Sequence, residues 1–214
     1  MLWWTEAVLV AVVLMNLLVL GSSRLAACIR FVAVQGILLG IMTFVAHEGT
    51  STLRTALLAI ASIGVKGLAF PALLVRALRE AEVRREIEPY VGYNLSMLIG
   101  LATLTFSLWL SGRLPLPQTP VSPLIVPVAL FTSFVGLFVI VSRRKALTQV
   151  LGYLVLENGI YAFGVGLVQN TPMLVELGVL LDLFVAVFVM GITIFHINRQ
   201  FDHIDTDRLA LLKD

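Results

Sequence analysis

A single cysteine, Cys28, stands among 214 residues. One cysteine excludes an internal disulfide, a four-cysteine zinc site and an iron–sulfur cluster carried by this chain alone. Histidine is nearly as scarce. His47, His196 and His203 are too scattered to make a metal-ligand pattern. Charge is thin as well: Asp, Glu, Lys and Arg make up 13% of the chain, about half the share of a soluble domain. The net charge of +2 leaves no basic surplus for nucleic acid. No glycine-rich phosphate loop and no nucleophile elbow is present.

What fills the chain instead is apolar. Hydrophobic residues reach 59% and the mean hydropathy is +0.98. A single soluble core of this length cannot hide so much apolar side chain. Strict alternation in short blocks, the mark of a membrane barrel, is absent. The reading is an all-α integral membrane protein. Seven apolar segments can be drawn, at Trp3–Leu20, Leu25–Ala46, Leu53–Leu78, Val91–Ser111, Leu124–Val141, Ala146–Val168 and Pro172–Ile197. Most reach the roughly 20 residues that cross a bilayer. The first lacks a basic start and a small-residue cleavage site, so it is expected to be a retained helix. Residues 1–111 then hold helices one to four, 112–123 a proline-rich outer loop, 124–198 a three-helix unit and 199–214 a tail.

Basic residues set the expected orientation. With seven crossings, Arg24, Arg76, Arg79, Arg84, Arg85, Arg143, Arg144, Lys145, Arg199, Arg208 and Lys213 fall on one side, and Arg54 and Arg113 on the other, 11 against 2. The N-terminus is therefore expected outside and the C-terminus in the cytoplasm, in a multi-pass protein of the inner, cytoplasmic membrane. The alternating charges of residues 76–93 suggest an extended cytoplasmic end of helix three, either a solvated helix end or a docking surface for a partner subunit. Residues 22–40 and 142–163 also resemble one another: each has a basic turn, an apolar climb, an amide and Gly-Ile. An internal duplication and chance likeness between membrane helices both fit this pattern.

Ionisable residues at mid-membrane are costly and point to function. Glu157 follows Lys145 by 12 residues, about 18 Å along a helix. Lys66 lies near the midpoint of segment three, and Asp182 ten residues after Pro172 in segment seven. Three such groups at one depth can neutralise one another, and they can also pass protons sideways through the membrane plane. Glu176 lies about 9 Å nearer the outer face. Asn158, Gln149, Arg30, Gln35 and His196 are supporting polar candidates. Arg30 can snorkel to the inner surface, and His196 suits a helix C-terminus. Pro71 should kink helix three one turn from Lys66 and open a gap there. The competing reading is a structural polar knot.

The stretch "SRRKALTQVLGYLVLENGIYA" resembles the K-type small membrane subunit of respiratory complex I. Glu157 matches the membrane glutamate of that subunit. "LGVLLDLFVAVFVMGITIFHINRQ" is similar to its third helix, with Asp182 the better match to a second carboxylate and Glu176 the next. The whole chain, with its ending "FDHIDTDRLALLKD", resembles hydrogenase-4 component E of formate hydrogenlyase-type membrane hydrogenases. The resemblance implies a non-catalytic membrane-arm subunit of a redox-driven proton or sodium translocating complex, the group 4 membrane-bound [NiFe]-hydrogenase or complex I type. It implies antiporter-like and complex I-like membrane subunits as neighbours, and a soluble hydrogenase or oxidoreductase arm. The NiFe centre and iron–sulfur clusters would sit on those partners, with no cofactor and no metal in this chain. A small subunit of a multisubunit cation/proton antiporter, and a structural assembly subunit, are the alternatives.

Overall fold

The computed structural model describes residues 2–46, 60, 63–80, 89–115 and 122–167, and among these the regular secondary structure is helical. The helices are α1 (Leu2–Gly21), α2 (Leu25–Ala46), α3 (Phe70–Glu80, entered through a π-helical turn at Val65–Ala69), α4 (Tyr93–Ser111), α5 (Ile125–Ser142) and α6 (Ala146–Leu167). Four stretches are long and apolar enough to cross a membrane: Trp3–Gly21, Leu25–Met42, Tyr93–Ser111 and Ile125–Ser142. The chain is a membrane protein, all-helical among the described residues. The expected segment seven, with Glu176, Asp182 and His196, lies outside the described residues, as does residue 84.

Two tight hairpins organise the bundle. Only Ser22–Arg24 separate α1 from α2, and only Arg143–Lys145 separate α5 from α6, so each pair runs antiparallel. The α5–α6 pair is drawn together by glycine. Gly152, Gly159 and Gly166 recur every seven residues on α6, the period that keeps one face toward a neighbouring helix. A Cβ on Gly152 would lie 2.8 Å from the Ile140 amide nitrogen and 2.9 Å from the Gly136 carbonyl oxygen. Backbone therefore meets backbone, the close approach that small residues permit between membrane helices.

Segment three departs from a plain helix. The Phe70 N–H bonds to the Val65 carbonyl, five residues back instead of four. Pro71 accounts for the position. It has no N–H to give the carbonyl four residues before it, and its ring crowds that carbonyl, so the turn ahead of it widens. Pro127 disturbs nothing, because it lies in the first turn of α5, where the N–H has no helical partner.

Arg143 ties the helix ends together. Only 2% exposed, it donates to the Leu20 carbonyl at the end of α1 over 2.9 Å and to the Val91 carbonyl before α4 over 3.5 Å. Its guanidinium lies 4.6 Å from the centre of the Tyr93 ring. The Tyr90 N–H bonds to the Ser142 carbonyl over 2.9 Å, and Arg144 stands over the Tyr90 ring. The ends of α1 and α5 and the starts of α2, α4 and α6 thus share one end of the bundle, with Arg24, Arg143, Arg144 and Lys145. All three tryptophans mark the other end: Trp3 and Trp4 open α1, and Trp109 near the end of α4 carries Arg113 over its ring. All three are exposed. Such rings favour the membrane–water boundary.

Candidate functional site

The middle of the bundle carries a layer of buried polar side chains. Glu157 is the twelfth of 22 residues in α6, so about 16 Å of helix separates it from either end. The π turn before α3 aims Lys66 at it. The Lys66 Nζ lies 2.5 Å from a Glu157 oxygen, and the two side chains are 5% and 2% exposed. The ring of Tyr161, one turn along α6, has its centre 4.5 Å from the same nitrogen. Asn158 is buried beside the pair.

Close packing sets this geometry. A Cβ at Gly36 of α2 would lie 2.7 Å from the Lys66 Cβ. The bare backbone of α2 is what lets Lys66 enter the interior. A cavity of about 10 Å³ lies against the pair, lined among others by Phe70, Pro71, Leu74 and Leu154. It is about the size that holds one water. The gap expected beside Pro71 is present, and it opens on the ion pair.

A second, uncharged network crosses the same layer. Gln35 of α2 donates through Nε2 to the Asn16 Oδ1 of α1 over 2.8 Å and to the Val12 carbonyl over 3.3 Å. Asn16 donates through Nδ2 to the Thr132 hydroxyl of α5 over 2.8 Å, and Thr132 donates to the Val128 carbonyl over 2.7 Å. Asn16, Gln35 and Thr132 are each 0% exposed. The two networks share a depth. Gln35 precedes Gly36, which faces Lys66, and Thr132 precedes Ser133, which faces Gly159.

Of the residues singled out from sequence, Glu157, Lys66 and Asn158 come together. Gln35 joins the neutral ladder instead. Gln149 lies eight residues before Glu157, at the basic end, where it donates to the Arg143 carbonyl over 3.1 Å. Arg30 is exposed on α2. Glu176, Asp182 and His196 lie outside the described residues. Asn16, Thr132 and Tyr161 are additions. Asn16 was visible as an amide within an apolar run, whereas nothing in the sequence joins it to Thr132, 116 positions away. Among the described residues no cluster of three or more His, Cys, Asp or Glu side chains is placed to hold a metal ion.

Over 205 residues the chain is 32% identical to the uncharacterized protein Rv0085 of Mycobacterium tuberculosis (strain ATCC 25618 / H37Rv), a match covering 94% of this chain and 92% of that one. The chain belongs to the Rv0085 family. A further similarity links it to Hydrogenase-4 component E of Escherichia coli (strain K12), 38% identical over 86 residues, or 40% of each chain. The Shigella flexneri protein of the same name matches to the same extent. This partial match relates the Rv0085-family chain to hydrogenase-4 component E over part of its length. No family model matches the chain, and no solved structure matches it.

Proposed function

We propose that this protein is a non-catalytic membrane subunit of a redox-driven ion-translocating complex of the hydrogenase-4 or complex I type, and that Glu157 and Lys66 form part of a lateral proton relay. The observation that carries the reading is the buried ion pair at mid-helix. Taking both charges out of water costs several kcal/mol per ion before their attraction offsets it. Intramembrane charges kept at that cost commonly mark ion pathways. The cavity beside the pair gives a water a place next to the carboxylate. Kinship over 86 residues with Hydrogenase-4 component E supports the choice of complex. Asp182, at the expected matching depth in segment seven, is the proposed next acid in the relay, with Glu176 nearer the outer face. The basic end faces the cytoplasm in this reading. The redox centres, NiFe and iron–sulfur, belong to partner subunits.

The structural-knot alternative has its own support, since an ion pair between helices also holds them together. The Gln35–Asn16–Thr132 ladder shows that polar contacts in this layer join α1, α2 and α5 without a charge, whereas the pair that joins segment three to α6 is charged.

Glu157→Gln separates the two readings. It keeps the shape and leaves an amide oxygen to face Lys66, but it removes the titratable group. The relay reading expects an assembled complex whose ion translocation, measured against redox turnover in the same vesicles, is largely lost. Poor assembly with normal coupling in the surviving complexes would instead support the knot. Full pumping by assembled Glu157→Gln complexes would sink the relay.

A further inference from the structure

The cavity beside the ion pair is lopsided. Lys66, Glu157 and Asn158 are its polar lining, and the apolar lining lies toward one end of the bundle. Ile29 and Ala33 precede Gly36, the α2 glycine that faces Lys66, and α2 starts at the basic end. Leu74 follows Lys66 in a segment that runs back along α2, since Gly40 meets Ile63 and Gly36 meets Lys66. The cavity therefore extends from the pair toward the basic end. Ile29 is the fifth residue of α2, about 6 Å along the helix from its start. In the opposite direction the same two elements are shut, because Ile63 packs on the bare backbone of Gly40. The widened turn at Val65–Ala69 separates the closed stretch from the open one.

We propose that protons reach Glu157 from the basic end, through the gap between α2, α3 and α6, by way of a water held at Asn158. The inference rests on the relay reading and deepens it by naming the side of entry. Asn158 is 3% exposed, and its amide carries two N–H donors and an acceptor oxygen. A water in this cavity has that amide and the Glu157 carboxylate as partners, which satisfies the needs of a buried water. It takes a proton on its oxygen from the basic side and releases another to a Glu157 oxygen. One proton enters, one leaves and the water is restored. The part of the lining nearer the basic end, Ile29 and Leu74 included, is apolar. Hydrophobic constrictions gate by wetting and drying, so this stretch admits protons without standing open. Two of the three walls, α2 and α3, lie outside the stretches that resemble the K-type subunit. The route is therefore supplied largely by the N-terminal helices.

The test uses the whole complex in membrane vesicles and compares two changes at Ala33. Ala33→Val puts methyl groups where the water would sit, whereas Ala33→Ser adds a single polar atom. Initial rates of ion translocation are measured with subunit content on the same vesicles. The proposal expects Ala33→Val to assemble and to translocate roughly ten-fold more slowly, with Ala33→Ser near the unaltered rate. Proton entry is first order in the protons on the entry side. Lowering the pH by about one unit at the basic end should therefore restore most of the Ala33→Val rate. The same step on the opposite side should not, and a mere packing defect would respond to neither. An unchanged rate in Ala33→Val, a rate restored from the opposite side, or one restored from neither side overturns the route. Each of these alongside an impaired Glu157→Gln complex leaves the relay standing, and full translocation by Glu157→Gln overturns both. If Ala33→Val fails to assemble, Asn158→Leu, which removes the anchor of the water, takes its place with the same expected results.

Discussion

At the scale of single residues, the interior separates polar groups that carry charge from those that do not. Asn16 accepts from Gln35 and donates to Thr132, and none of the three has an ionisable group. Such bonds between membrane helices are worth about 0.6 kcal/mol on average and at most about 1.7. Asn16→Leu is therefore expected to lower the thermal stability of the purified complex by about 1–2 kcal/mol. It should leave ion translocation per assembled complex unchanged. An assembled Asn16→Leu complex that turns over without pumping would place the ladder inside the relay. How these residues could be read from sequence follows from the same distinction. A lysine and a glutamate inside apolar runs stand out by their cost, and their depths could be compared by counting along each helix. Asn16 and Thr132 are ordinary in an apolar helix, and their pairing depends on how α1 and α5 turn toward each other. Arg143 was misleading in a different way. It counts with the exposed basic residues that mark an inner face, yet it is buried and holds three helix ends.

At the scale of elements, the sequence-based boundaries of segments one, two, four, five and six lie close to the described ones. Apolar runs stop at charges, prolines and glycines, and so do the helices. The π turn was not legible, because proline announces a disturbance without saying how the backbone absorbs it. The glycines of α6 read only as breaks in hydropathy, whereas in the bundle they form its closest helix contact. Gly152→Val should prevent the protein from accumulating in membranes, because backbone atoms of α5 stand where the new side chain must go. Gly64→Ala is the matched control. Gly64 is helical and a Cβ there meets nothing within 4 Å among the described residues, so accumulation should be unchanged or slightly higher. Immunoblots of washed membranes compare the two. Equal amounts of Gly152→Val and unaltered protein would contradict the close α5–α6 contact.

At the scale of the whole molecule, the bundle has unlike ends. Arg24, Arg143, Arg144 and Lys145 gather at one, and Arg113 and the tryptophans at the other. The excess of basic residues at the first end predicts that it faces the cytoplasm. New cysteines at Arg144 and Arg113, both exposed, test this with a reagent that cannot cross the bilayer. The native Cys28 is 3% exposed and gives little background. Position 113 should react from outside in intact cells, and position 144 only after the membrane is opened. The reverse pattern would invert the protein. The crowding of Trp3, Trp4 and Trp109 at one end has an optical consequence as well. Tryptophan emission of the isolated subunit in oriented vesicles comes from a single leaflet. An aqueous quencher confined to that side should darken the protein, while the same quencher confined to the opposite compartment should leave it bright. Without any label, the molecule reports which way round it has been inserted.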